Sequence, residues 1–167
     1  MRVYLVGFMG AGKTSSGRVL ARRLGALFWD LDARVEAVAR MSVAEIFRQH
    51  GEAVFRAAET RQLAGVARHA RVVVATGGGT FVQPANRELI RQSGVSVFLD
   101  VPWEVLLRRL PGKREERPLF SSPEQALELW RERLPHYSQA DLRVQPRSDE
   151  RVEAVAWRIA ELLGEAS

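Results

Sequence analysis

Residues 7–14 read Gly7-Phe8-Met9-Gly10-Ala11-Gly12-Lys13-Thr14: a glycine, four residues, then G-K-T. The preceding Val3-Tyr4-Leu5-Val6 is a continuous apolar run, as a strand buried on both faces requires. In the following residues 15–24, Val19, Leu20 and Leu24 recur at helical spacing, and Gly25 stops the helix. Strand, glycine-rich turn and helix in that order form the context that separates a phosphate-binding loop (P-loop) from a chance match. The glycines let backbone N–H groups turn inward around phosphate oxygens, and the helix start adds partial positive charge. Such a loop would hold a nucleotide through Gly10, Ala11, Gly12, Lys13, Thr14 and Ser15. Lys13 would reach the β- and γ-phosphates and the Thr14 hydroxyl would ligate Mg²⁺. The plain alternative is a flexible turn carrying one exposed lysine.

Composition argues against that alternative. The 167 residues include 25 basic ones, of which 23 are Arg and two are Lys, Lys13 and Lys113. An exposed position in this chain would carry Arg; a phosphate cradle needs a compact point charge instead of a planar fork. The net charge of +5 and a pI near 10.6 favour anionic partners, whether nucleic acid, membrane surface or phosphorylated small molecules. Cysteine is absent, which excludes disulfides, Cys-ligated zinc and thiol catalysis and fits a cytoplasmic location. No apolar run reaches the ~18–20 residues of a membrane span, and no signal peptide opens the chain.

Beyond the loop, short apolar runs alternate with helical patterns. Strands are expected at 27–29, 72–75, 95–99 and 142–144. Helices are expected at 33–40, 43–49, 53–68, after Pro84, at about 103–110, 123–133 and 150–163. Ser42 with Glu45 three residues on reads as a capping box. Residues 111–122 carry Gly112, Lys113, Arg114, Glu115, Glu116 and Arg117 without apolar periodicity and read as a mobile surface loop. The alternation predicts one α/β domain over 1–167, a three-layer α/β/α sandwich around a mainly five-stranded parallel sheet. The helical stretch 33–68 and the loop 111–122 would be embellishments of it.

Two further features sit after strands, where open parallel sheets bind ligands. Asp30 and Asp32 lie two apart, a spacing that points both carboxylates to one side of an extended backbone. One could hold the metal's water shell while the other orients or deprotonates a hydroxyl nucleophile. The other reading makes Asp32 the N-cap of a helix beginning at Ala33. Gly77-Gly78-Gly79 is either a second close approach of backbone to ligand or an ordinary strand-to-helix turn.

Together these residues resemble the shikimate kinase family of P-loop kinases. The similar stretches are GFMGAGKTSSGR (7–18), FWDLD (28–32), SVAEIFRQHGEAVFRAAE (42–59), ATGGG (75–79), RPL (117–119) and RLPHY (133–137). The resemblance implies transfer of the ATP γ-phosphoryl group to the 3-hydroxyl of shikimate, in aromatic amino-acid biosynthesis, by a monomer using Mg²⁺. It further implies that Asp32 contacts the shikimate hydroxyls and serves as base, with Asp30 near the metal through water. Arg56 and Arg133 would grip the substrate carboxylate, Gly77, Gly78 and Gly79 would line its pocket, and Arg117 would swing from the 111–122 lid onto the phosphates. Arg109 and Arg147 are candidates for contacting adenine, although residues 145–148 (QPRS) lack the Asp-Thr common in the family.

Guanidinium forks suit a small carboxylate. Spacing alone equally allows Arg56 to pair with Glu59 or Thr60, and Arg133 to be a solvated helix end. His50, His69 and His136 show no metal-ligand spacing. Rival readings are a gluconate or nucleoside-monophosphate kinase, and a nucleic-acid-linked regulatory NTPase. Dispersed arginines, without a basic block or aromatic RNA-binding signature, weigh against nucleic acid, and nothing indicates a membrane partner.

Overall fold

A computed structural model describes residues 1–110 and 122–164. Five strands form one wholly parallel sheet: β1 (Arg2–Val6), β2 (Leu27–Asp30), β3 (Val72–Ala75), β4 (Val95–Leu99) and β5 (Leu142–Val144), in the order β2-β3-β1-β4-β5. Helices cover both sides: α1 (Lys13–Arg23), α2 (Leu31–Ala39), α3 (Val43–Gly65), α4 (Pro84–Ser93), α5 (Trp103–Arg109), α6 (Pro123–Tyr137) and α7 (Val152–Leu162). The expected three-layer α/β/α architecture is the one found. Residues 3–6 and 72–75 are buried throughout, as an apolar run without alternation requires.

The register positions the site. Leu5 of the central strand lies level with Ala75 of β3, and Ala75 with Asp30 of β2. Gly7, Thr76 and Leu31 therefore leave the sheet along a single rim. α1 approaches the sheet closely through Gly17, where a methyl group would meet the Phe28 ring at 2.7 Å. At the opposite rim the Arg2 guanidinium donates to the carbonyls of His69, Ser93 and Ala67, collecting three chain segments.

Several boundaries differ from the sequence reading. α2 begins at Leu31 instead of residue 33, because Asp30 caps it by accepting a hydrogen bond from Ala33 N at 3.2 Å. α3 joins two helical halves at Gly51, whose φ of 82° and ψ of 171° only glycine adopts without strain. The break expected between residues 49 and 53 is real, and a 3₁₀ turn at Val66–Arg68 finishes the segment. α6 continues four residues past 133, with Pro135 inside it. α7 starts at Val152, two residues later than expected.

α2 and α3 enclose a small core of their own, Val35, Ile46 and Phe55, with Met41, Val43 and Phe47 packed on it. The expected capping box starts α3: Glu45 N donates to Ser42 Oγ at 3.2 Å and Ser42 N to Glu45 Oε2 at 2.7 Å. The same turn is tied to α2, since Val43 N donates to Glu36 Oε1 at 2.9 Å. Ser42→Ala leaves Glu45 N without its acceptor and should lower unfolding free energy by about 1 kcal/mol. Equilibrium urea unfolding checks this; an unchanged midpoint would show that the cap is dispensable.

Candidate active site

The turn after β1 opens a cleft of about 830 Å³ along the sheet rim. Gly10 and Gly12 hold φ of 79° and 89°, left-handed values that turn the loop back over the start of α1. Gly12 is the N-cap of α1, and no side chain caps the first turn, so its N–H groups face the cleft as anion donors. Lys13 Nζ donates to the carbonyls of Gly7 at 2.8 Å and Phe8 at 2.9 Å, which fixes the ammonium within the loop. Gly10, Gly12, Lys13, Thr14 and Ser15 line the cleft, and Ala11 does not. Ala11 is buried, its N–H closing a turn onto Phe8 O at 3.2 Å.

The acid pair reaches the cleft by a route other than the expected one. Asp30 ends β2 and caps α2, while Asp32 lies in the first helical turn, so the two share no extended backbone. The cap is Asp30, not Asp32. Its second oxygen accepts a hydrogen bond from Thr14 Oγ1 at 2.8 Å, which joins the acid to the phosphate loop. Asp32 faces the cleft with Oδ1 sealed from solvent and without a hydrogen-bond partner. Burial pushes its carboxyl up to about 6; neighbouring Glu59, Asp30 and Glu36 add to the shift, and Lys13 opposes it.

The far wall carries the arginines. Arg56 Nη1 donates to Glu59 Oε2 at 2.8 Å, while Nε and Nη2 donate to Glu52 Oε1 at 3.2 and 3.1 Å. The pairing with Glu59 that spacing allowed is therefore present, and the one with Thr60 is not. The guanidinium nevertheless lines the cleft. Arg133 is buried, 5% exposed, and is not a solvated helix end, because α6 runs on to Tyr137. Tyr137, one turn further on, donates its hydroxyl to Gly78 O, and burial pushes its pKa up to about 12.

Gly77, Gly78 and Gly79 have no positive φ; what they supply is room. A methyl on Gly77 would strike the Glu59 and Asp32 carboxylates, and one on Gly79 the Arg56 guanidinium. On Gly78 it would sit 3.0 Å from Arg133 Nη1. This turn is the floor on which the charged side chains rest, not an ordinary connection.

Arg109 also lines the cleft and anchors to Gly10 O through Nη1 at 2.9 Å. Arg147 does not line it, and its backbone N–H donates to Glu150 Oε2 at 2.9 Å, whereas Val152 of α7 does line it. Arg117 and nearly all of the 111–122 segment lie outside the described residues. Sequence reasoning assigned no role to Glu59, Glu36, Phe47 or Phe55, all of which line the cleft. The i,i+3 spacing of Glu59 from Arg56 was its available signal. Nothing local marked Phe47 and Phe55 beyond the apolar pattern of a core.

Residues 9–164 match the family model for shikimate kinase. A shikimate kinase of Synechococcus elongatus is 44% identical over 164 residues, covering 96% of this chain and 85% of the relative. One from Geobacter sulfurreducens is 44% identical over 166 residues, covering 98% of this chain and 91% of the relative. The solved structure of the Acinetobacter baumannii shikimate kinase in complex with shikimate superposes with a TM-score of 0.92 at 35% identity, over 97% of this chain and 92% of that one. On this agreement in sequence, length and backbone, the chain belongs to the shikimate kinase family.

Proposed function

We propose that the chain transfers the γ-phosphoryl group of ATP to the 3-hydroxyl of shikimate, giving shikimate 3-phosphate. The observation that carries this reading is the placement of Asp32. An unpartnered carboxylate oxygen stands in one cleft with a phosphate cradle and a pair of arginines. Family membership supports the choice of shikimate over gluconate or a nucleoside monophosphate. A coupled assay across these three acceptors tests it.

In this reading the N–H groups opening α1 and the Lys13 ammonium hold the β- and γ-phosphates. The Thr14 hydroxyl and Asp30 carboxylate form an oxygen-only donor set at the cradle, which suits Mg²⁺, a cation that keeps several waters and leans on substrate phosphates. The described residues contain no cluster of three or more His, Cys, Asp or Glu able to cage a metal, in keeping with such open ligation. Bound there, the ion would neutralise charge on the phosphate oxygens.

Arg56 and Arg133 grip the shikimate carboxylate through charge-assisted hydrogen bonds and so set the position of its ring. Asp32 then accepts the 3-hydroxyl proton as the oxygen attacks phosphorus. A carboxyl titrating near 6 is ionised at neutral pH yet more basic than an ordinary aspartate. Arg117, by its resemblance to the family's lid arginine, adds positive charge to the phosphoryl group in transfer. Lys13, Thr14, Asp30, Asp32, Arg56 and Arg133 of one chain line a single cleft, which supports action as a monomer. The absence of cysteine supports a cytoplasmic setting. Among the described residues no helix is long and apolar enough to cross a membrane.

Asp32→Asn should lower kcat by roughly 10²–10⁴-fold, the usual weight of a positioned base. In the unsubstituted enzyme, kcat/KM should fall tenfold per pH unit below about 6. A profile flat down to pH 5 would remove Asp32 from that role. The same substitution should stabilise the free protein. The folded carboxyl titrates above its ordinary value, so the ionised form is penalised, and the penalty grows as pH rises from 3.8 to about 6. At pH 7.5, Asp32→Asn should gain about 3 kcal/mol in urea unfolding, and the gain should vanish below about pH 3. Arg133→Ala should raise the shikimate KM by about 30–100-fold and leave that for ATP within about twofold.

A further inference from the structure

The carboxylate of Glu59 is fully buried, and it does not stand alone. Its Oε2 holds Arg56; its Oε1 accepts a hydrogen bond from the hydroxyl of Thr80, the residue following the triple glycine. Thr80 is itself fully buried, and its carbonyl accepts from Asn86 Nδ2 at 3.1 Å. Asn86, buried in the first turn of α4, accepts through Oδ1 from Thr60 Oγ1 at 2.9 Å. Thr60 is the neighbour of Glu59 on α3, so the chain of bonds closes into a ring. It ties α3, the glycine turn and α4 together directly behind the Arg56 guanidinium.

A ring of this kind is a costly way to stabilise a core. Buried polar groups contribute only modestly when every partner is present, and they cost heavily when one is lost. Apolar residues of the same shape would hold α3 against α4 at least as well. What they could not do is aim Glu59. Its carboxylate has a free rotation about the last bond of the side chain, and Arg56 alone leaves the other oxygen undirected. Thr80 supplies the missing donor, and Asn86 fixes the backbone that carries Thr80.

We propose that Thr80, held by Asn86, is a positioning residue for substrate binding: it orients Glu59 and, through it, the Arg56 fork that receives the shikimate carboxylate. Thr80 does not line the cleft. The proposal rests on the reading of Arg56 as a carboxylate ligand, and the two can fail separately.

Two substitutions at position 80 separate orientation from packing. Thr80→Val keeps the volume and removes the hydroxyl, leaving Glu59 Oε1 without a donor. Thr80→Ser keeps the hydroxyl and gives up a buried methyl group. The shikimate KM of Thr80→Val should rise about tenfold, the weight of one charge-assisted hydrogen bond, with the ATP KM within about twofold of wild type. Thr80→Ser should retain the wild-type shikimate KM although it loses thermal stability from the cavity. The proposal is overturned if Thr80→Val keeps the wild-type shikimate KM, or if both variants raise the two KM values together in step with lost stability. Arg56→Ala, measured alongside, tests the underlying reading. If it leaves the shikimate KM unchanged, Arg56 is not the carboxylate ligand, and the positioning role falls with it. If Arg56→Ala raises that KM and Thr80→Val does not, the carboxylate reading stands and the ring is purely structural.

Discussion

Parallel pairing brings the carboxyl ends of β2, β3 and β1 to one level, and the chemistry is built on that rim. Because Asp30, Ala75 and Leu5 sit side by side, the segments leaving the three strands are forced to be neighbours. The first becomes the acid-bearing turn of α2, the second the triple glycine, the third the phosphate cradle. Shifting β2 by one residue against β3 would turn every side chain on it to the opposite face. Thr14 would then lose the Asp30 oxygen that joins the cradle to the acid turn. The apolar runs that bury the sheet on both faces therefore also determine where the polar groups meet.

Within the cleft, burial acts first on the acids and crowding of like charge adds to it. Asp30, Asp32, Glu36 and Glu59 all line the cleft, in a chain whose net charge is +5. Arg56 and the Thr80 hydroxyl satisfy Glu59, and Thr14 and Ala33 satisfy Asp30. Glu36 is held by the first N–H of α3. Asp32 is left with an oxygen that no protein group satisfies, and its burial, with the neighbouring acids adding to it, raises its carboxyl. An unsatisfied buried carboxylate destabilises a fold, and it is also what a base that must accept a proton from a hydroxyl requires. The excess of arginine that suggested polyanions in general has a narrower use here. Arg56, Arg109 and Arg133 each reach the cleft from a different helix.

Some of this was legible residue by residue. Lys13 stood out because the chain almost avoids lysine, and its place after a glycine-rich turn implied a phosphate site. The Ser42 capping box and the break near Gly51 followed from local chemistry, and both are present. Asp30 and Asp32 were recognised as a pair for an incomplete reason. An alternation rule for strands was applied across a point where the chain had already turned helical, because Asp30 itself supplies the cap. Arg133 was ambiguous because the helix end was placed at that residue. Pro135, which argues for a stop, is accommodated instead, and the extra turn carries Tyr137 into the core. Glu59 was visible as the i,i+3 partner of Arg56, but helix spacing could not reveal a ring closing through α4.

By itself the sequence determined the strand–turn–helix units, their alternation and the identity of the phosphate loop. These depend on contacts a few residues apart: apolar period, glycine conformation and capping. The tertiary structure decided which acid is the unsatisfied one, which glycine makes room for which side chain, and how Arg56 is aimed. Those outcomes depend on groups dozens of residues apart meeting in a space from which water is excluded. There a single missing donor changes the basicity of a carboxylate, and no local pattern records who the neighbour will be.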